Sequence, residues 1–485
     1  TSFHRFYRSS LAGAFLNFAG VHKNVPIHKL FQTDSENEAD YLAPYPLVNT
    51  CLNLQSTDDP KFKGSKTSDY FLLSPKFCGS KLTNYVRTEK QEGYSKMTFP
   101  AAITISAAAV NPGMGNYSSK ILAVLTTLTN ARLGYWTWNP LKTNGRIPIV
   151  WWPVYFFYEL FSQMGTDKKM LNISDGGHIE NLAVYELLRR KCRLIICVDA
   201  GQDSTYGFGD LEILTIRARN ELGIEIKFRE GQIPEEIIKP KPSHGYSKKR
   251  YAVADLLTVW EEILVKDQEG NIIYFEQSYK NETGKVITES KPVEALINYF
   301  YDNRGGITFD IQLKCGGSYI DNKALEEEVE TLINYKLEVE RGDKEGIDKL
   351  KCGTFVYVKS SVTAPKGKPA IRKGEDEDLR YGTYKYKIYH PQFPHEPTSD
   401  QFFDKIQWES YFQLGQFIGS EILGDDDLIT FSRKPKEQFS IEQLLDHFND
   451  DVPLFEIRDE EFTPVQTQES LEVLKPLPSQ HRVEQ

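Results

Sequence analysis

Ser174-Asp175-Gly176-Gly177, followed by helix-like spacing from Asn181 to Lys191 and by the apolar run Leu194-Ile195-Ile196-Cys197-Val198, is the stretch on which the reading of the fold turns. A continuous apolar run of this length reads as a strand covered on both faces, the usual state of a strand in a parallel sheet. Two adjacent glycines admit backbone conformations closed to residues with a Cβ. The aspartate is therefore expected in a tight turn, its carboxylate held at an exposed loop edge beside a buried parallel strand. That placement suits a general base. A bare Asp-Gly-Gly is equally a common surface turn, so its surroundings decide between the two.

Downstream, Asp210 is expected to cap a helix reaching about Leu222, Gly223 to end it, and Ile224 to Phe228 to form a second strand. Strand, helix and strand in this order imply a parallel α/β unit. Upstream, residues 3 to 18 carry Phe3, Phe6, Tyr7, Leu11, Phe15 and Phe18 at helical spacing. Leu47 to Leu54 and Tyr70 to Leu73 read as strands, and Lys76 to Met97 as a charged loop or hairpin. Ala101 to Val110 is a run of small residues, and Ser118 to Leu133 has helical periodicity. Ile147 to Phe157 gathers Trp151, Trp152, Tyr155, Phe156 and Phe157; it is too short to span a bilayer and is interrupted by Pro148 and Pro153. It reads as core, as the wall of an acyl pocket or as an interfacial contact.

The 485 residues suffice for at least two structural units. A formal charge of -10 argues against a nucleic-acid partner, because such proteins need a basic footprint to displace phosphate counterions. None of the six cysteines stands in a Cys-x-x-Cys pair, so buried reduced thiols are expected, with no cofactor and no metal. Residues 231–350 are charged and read as an insertion, with a solvated helix around Ala324 to Val339; Phe355 to Lys359 resumes strand character. Residues 364 to 380 form a lysine- and proline-rich loop, Phe402 to Ile418 a helix, and residues 424–485 an acidic, partly disordered tail.

Longer motifs carry a resemblance. Ile105-Ser106-Ala107-Ala108-Ala109-Val110-Asn111-Pro112, then Asp175-Gly176-Gly177-His178-Ile179-Glu180-Asn181-Leu182, Tyr185 to Arg190 and Val198-Asp199-Ala200-Gly201, together with Phe393-Pro394-His395-Glu396 and Asp400 to Asp404, are similar to the large bacterial branch of the patatin-like phospholipases. The resemblance covers about residues 1 to 230 and 350 to 420. It implies an α/β fold, a patatin-like three-layer core with a mainly parallel sheet, incomplete at the N-terminus, over residues 1–230. To this are added the insertion, a family-specific extension over 351–423 that packs on the core, and the tail.

The same resemblance implies lipid acyl-ester hydrolysis by a serine and aspartate dyad, with Asp175 as the base and Gly176 and Gly177 shaping its turn. The family's serine sits on a Gly-x-Ser-x-Gly elbow beside an oxyanion loop, which separates nucleophile activation from electrostatic stabilisation. No Gly-x-Ser-x-Gly occurs in these residues. The expectation is therefore the C-terminal portion of a longer enzyme, inactive by itself, cytoplasmic or membrane-associated, acting on a lipid or acyl-ester substrate. The competing reading is a non-catalytic patatin-like binding or scaffold module.

Other constellations are weaker. His178 is one step from the Asp-Gly-Gly and is expected to pack the site rather than carry protons. Glu180 and Asn181 are expected to satisfy a helix N-terminus. His390, His395, Glu396, Asp400 and Asp404 could be drawn as a metal site, though no helix pair fits their spacing. Asp199 and Asp203 stand at a strand's C-terminal edge, where α/β folds place ligands, and a loop-turn role is the simpler reading.

Overall fold

The structure, a computed structural model, describes residues 25–31, 45–54, 68–107, 135–142, 152–242 except 162, 247–301 except 268 and 281–283, 307–319 except 316–317, 350–362, 381–397 and 405–423, with isolated residues elsewhere. The expected helix over Ser118 to Leu133, residue Trp151, the loop 364 to 380, and nearly all of residues 3 to 18 and of the tail lie outside the described residues.

Three sheets organise these residues. The first runs in the order β4-β3-β2-β1-β6-β5. Its strands are β1 (Val48–Asn53), β2 (Ser68–Leu73), β3 (Phe77–Ser80), β4 (Asn84–Arg87), β5 (Tyr135–Trp138) and β6 (Met170–Asp175), and every neighbouring pair is antiparallel. Alternation sends Leu52, Phe71, Leu73, Leu171 and Ile173 into one core together with Ala102 and Ile105 of helix α1 (Phe99–Ser106). Burying each large side chain there stabilises the fold by about 1.5–3 kcal/mol. Thr98 caps α1 by accepting the Ala101 N–H at 3.3 Å, and Pro100 occupies its first turn, where a missing N–H costs nothing. Helix α2 (Trp152–Leu160) brings Tyr155 edge-on to Trp136 of β5 at 4.9 Å.

The second sheet has the order β7-β15-β9-β8, built from β7 (Leu194–Asp199), β8 (Ile224–Phe228), β9 (Tyr251–Thr258) and β15 (Lys351–Lys359). Helices α3 (Tyr185–Arg189) and α4 (Gly209–Arg217) contribute to the core on one of its faces, and α5 (Tyr381–Tyr389) and α6 (Lys405–Leu423) to a separate core on the other. Gly223 ends the helical stretch at φ +67°, as expected, and a Cβ there would lie 2.0 Å from the Trp260 carbonyl oxygen. Asp203, rather than Asp210, ties the start of α4: its carboxylate accepts the Gly207 and Phe208 N–H groups, both at 2.9 Å.

Residues 260–319 form the third sheet: β10 (Trp260–Leu264), β12 (Val286–Tyr301), β13 (Ile307–Cys315) and β14 (Ser318–Tyr319) in that order, with β11 (Tyr274–Lys280) paired to β12. Val293, Ala295, Ile297 and Leu313 give it a core of its own. β9, from the stretch expected as an insertion, lies instead between β15 and β8 in the second sheet.

These pairings overturn the expected patatin-like three-layer core with a mainly parallel sheet. Among the described strands β7 and β15 are the one parallel pair, and the Asp-Gly-Gly strand β6 is antiparallel to both its neighbours. Nor is β7 covered on both faces: Ile196 and Val198 stay 42% and 69% exposed. The apolar run of β7 does lie beside a parallel strand, as expected, but alternate side chains of it stay exposed, and one parallel pair does not extend to the strand that carries Asp175: that is where the sequence argument fails. Among the described residues no helix is long and apolar enough to cross a membrane.

Candidate active site

Asp175 is the last residue of β6, opposite Thr50 of β1. The chain then turns through a single short helical turn, Gly176–His178, and the Gly177 N–H donates to Asp175 Oδ1 at 2.7 Å. Among the described residues Oδ2 accepts no hydrogen bond, which leaves half of the carboxylate for chemistry. The glycines act differently from expectation: neither has positive φ, and Gly176 is required because a Cβ would come 2.7 Å from the Asn49 carbonyl oxygen. Ser106 Oγ donates to that same carbonyl at 2.7 Å, so α1 reaches the turn and spends its serine proton on backbone.

Burial raises the Asp175 pKa above the usual carboxylate range, against the opposing pull of the Gly177 N–H and of His178. Burial likewise lowers His178, against Asp175. A more basic carboxylate is a better proton acceptor near neutral pH. His178 Nδ1 lies 3.3 Å from Ser174 Oγ, but that serine is wholly buried and also accepts from Asn53 Nδ2 at 3.2 Å. The three residues therefore form no exposed Ser-His-Asp array. Glu180 does what its position predicted, its Oε2 accepting the Val184 and Tyr185 N–H groups at 2.8 and 3.1 Å.

A second carboxylate lies close by. The parallel register of β7 and β15 sets Asp199 beside Lys359 at one sheet edge, and the ammonium meets Asp199 Oδ2 at 2.9 Å with both side chains buried. Tyr357 OH donates to the same oxygen at 2.5 Å, the Gly201 N–H donates to Oδ1 at 2.8 Å, and Lys359 Nζ reaches the Gly201 carbonyl at 3.0 Å. Asn181 stands between the two turns. It donates to Asp210 Oδ2 at 2.9 Å, a Cβ on Gly177 would lie 2.8 Å from its Oδ1, and one on Gly201 would lie 3.9 Å from its Nδ2.

His395 packs edge-on to Tyr206 at 4.5 Å, and its Nδ1 accepts the Asp203 N–H at 3.2 Å. The proton of the neutral ring therefore sits on Nε2. Burial, then the Lys359 ammonium, push its pKa down to about 4.

Of the residues the sequence singled out, Trp152 and Phe156 fall on α2. The same helix leaves Phe157 half-exposed, stacked at 6.3 Å on an exposed Phe161. Among the described residues the candidate metal ligands do not come together as a group: Glu396 is engaged by Tyr386, Gln407 and His390, while His395 turns to Asp203; Asp400 and Asp404 lie outside the described residues. No group of three metal ligands occurs among the described residues. Tyr357 and Lys359 escaped the sequence reading, and the available signal was a lysine closing an otherwise apolar strand. Comparison with family models, with curated proteins and with solved structures finds no match to this chain.

Proposed function

We propose that Asp175 is the general base of a serine acyl hydrolase acting on lipid esters, with the nucleophilic serine supplied from outside these 485 residues. The observation that carries the reading is the half-free Asp175 carboxylate, raised in basicity by burial and fixed by the Gly177 N–H. The likeness of the Asp-Gly-Gly segment to patatin-like phospholipases supports the choice of reaction, although here the segment ends a strand that is antiparallel to both its neighbours. In the reaction Asp175 takes the serine proton as the hydroxyl attacks the ester carbonyl, then returns it to the leaving alcohol. No cofactor is required. The stacked Phe157 and Phe161 offer an apolar contact for a lipid surface, which supports a peripheral membrane association.

In the intact protein, Asp175→Asn lowers p-nitrophenyl butyrate turnover by about 10²–10⁴-fold, the usual share of a general base. Near-unchanged turnover sinks the assignment. A second reading, a binding module without chemistry, draws on Ser106 and Ser174 being engaged away from Asp175. Vesicle binding without hydrolysis by the intact protein would establish that reading instead.

A further inference from the structure

Helix α3 ends in Arg189-Arg190, and one buried carboxylate organises both guanidinium groups. Glu186 receives Arg189 through Nε and Nη2 and Arg190 through Nε, each at 2.8 Å. The pairing leaves donors over: Arg189 Nη1 and both Nη atoms of Arg190 make no hydrogen bond among the described residues. Each guanidinium is held by its inner edge and presents its outer one.

Both arginines line a cleft of about 510 Å³ on the flank of the first sheet. Lys76 lines it as well, and Leu72, Phe77 and Tyr85 supply apolar wall. Phe77 and Tyr85 are 44% and 39% exposed, large rings left open to solvent beside cations. Arg189 and Arg190 act on Tyr85 here together with the carboxylates of Glu186 and Asp69. The cleft has the size of a small-molecule site, an order of a few hundred Å³. A guanidinium edge with free donors matches the oxygens of a phosphate or carboxylate, and the adjoining rings match a hydrocarbon body.

We propose that this cleft binds an anionic amphiphile, a phosphate or carboxylate head seated on Arg189 and Arg190 with its apolar part along Phe77 and Tyr85. The site stands independently of the role of Asp175. The same head chemistry occurs on free alkyl phosphates and on the headgroup of an anionic phospholipid, so both sources enter the test.

Titration calorimetry of this chain with octyl phosphate, inorganic phosphate and octanol reads the two halves of the site. Octyl phosphate binds, while inorganic phosphate and octanol each bind at least about tenfold more weakly, one lacking the apolar part and the other the charge. Arg190→Gln, whose circular dichroism is checked first, weakens octyl phosphate about tenfold or more. Phe77→Ser, which trims an exposed ring, does the same should the arginine variant fail to fold. Equal binding by a folded Arg190→Gln, or octanol binding as tightly as octyl phosphate, overturns the proposal. Phosphatidylcholine vesicles with added phosphatidic acid then separate the sources: competition with octyl phosphate assigns the headgroup, and no competition assigns the free amphiphile. Vesicle capture without octyl phosphate binding in solution also overturns it.

Discussion

Asp175-Gly176-Gly177 and Asp199-Ala200-Gly201 are the same local device at the ends of two strands. In each, the aspartate Oδ1 accepts the N–H two residues on, at 2.7 Å from Gly177 and 2.8 Å from Gly201. They part at the other oxygen. Asp199 Oδ2 takes both Tyr357 OH and Lys359 Nζ in a buried site, whereas Asp175 Oδ2 takes nothing among the described residues. Identical turn chemistry thus gives one carboxylate that is a fixed clamp and one that is available. The neighbouring strand decides: β15, parallel to β7, delivers a tyrosine and a lysine, while β1, antiparallel to β6, offers Thr50 opposite Asp175.

The largest stability effect therefore belongs to the Asp199 side. Lys359→Met leaves an uncompensated buried carboxylate and destabilises by about 3–5 kcal/mol in urea unfolding. Combining it with Asp199→Leu recovers most of that loss, because both charges are then gone. If Lys359→Met costs under about 1 kcal/mol, the clamp is not structural and the contrast collapses.

His395 gives the clamp a pH signature. Its folded pKa, pushed down to about 4 by burial, then by Lys359, lies below its unfolded value of 6.5, while Asp203, Asp199 and the Gly201 carbonyl pull the other way. The unfolded chain therefore binds a proton that the folded chain refuses. Stability is full above pH 6.5 and falls as pH drops toward 4, by roughly 3 kcal/mol at 1.36 kcal/mol per unit. Denaturant midpoints measured across this window show the decline, and His395→Phe flattens it. An unchanged slope in that variant would assign the decline to other groups.

Local structure was the legible part. β1, β2, β7, β8, the β3–β4 hairpin and the Gly223 helix end all follow from alternation, apolar runs and turn residues within a few positions of one another. Strand partners were only partly legible: Leu194 to Val198 does pair in parallel with a neighbour, as its apolar run implied, yet nothing local in Met170 to Asp175 announces that both of its neighbours are antiparallel. The turn at Asp175 could be read from its glycines, yet the reason for Gly176 could not: the Asn49 carbonyl that forbids a side chain comes from a strand more than a hundred residues away. Lys359 and Tyr357 were hidden for the same reason, being 158 to 160 residues from their carboxylate.

That steric contact separates the two turns once more. At Gly176 an added Cβ meets backbone, which cannot swing aside, so Gly176→Ala costs about 1–3 kcal/mol and moves β1. At Gly201 the nearest atom is Asp199 Oδ1 at 3.1 Å and the next contacts are ordinary, so Gly201→Ala costs less. Thermal unfolding of the two variants ranks them, and a reversed order would mean that the Asp175 turn is the looser one.

The smallest effect is the most discriminating. Asp175 has a folded pKa above its unfolded value, chiefly through burial, so the folded chain holds this proton more tightly. Its favourable contribution is present below the unfolded value of 3.8 and is lost as pH rises through the folded pKa, leaving a buried charge at neutral pH. Asp175→Asn removes that charge, and its amide oxygen can still accept the Gly177 N–H. At pH 7 the variant is expected to be as stable as the parent or slightly more so, within about 1 kcal/mol, with the difference vanishing in acid. Asp199→Asn, deprived of its partner for Lys359, is destabilised under the same conditions. Equal losses in both variants would make Asp175 a second structural clamp and remove the reason to assign it chemistry.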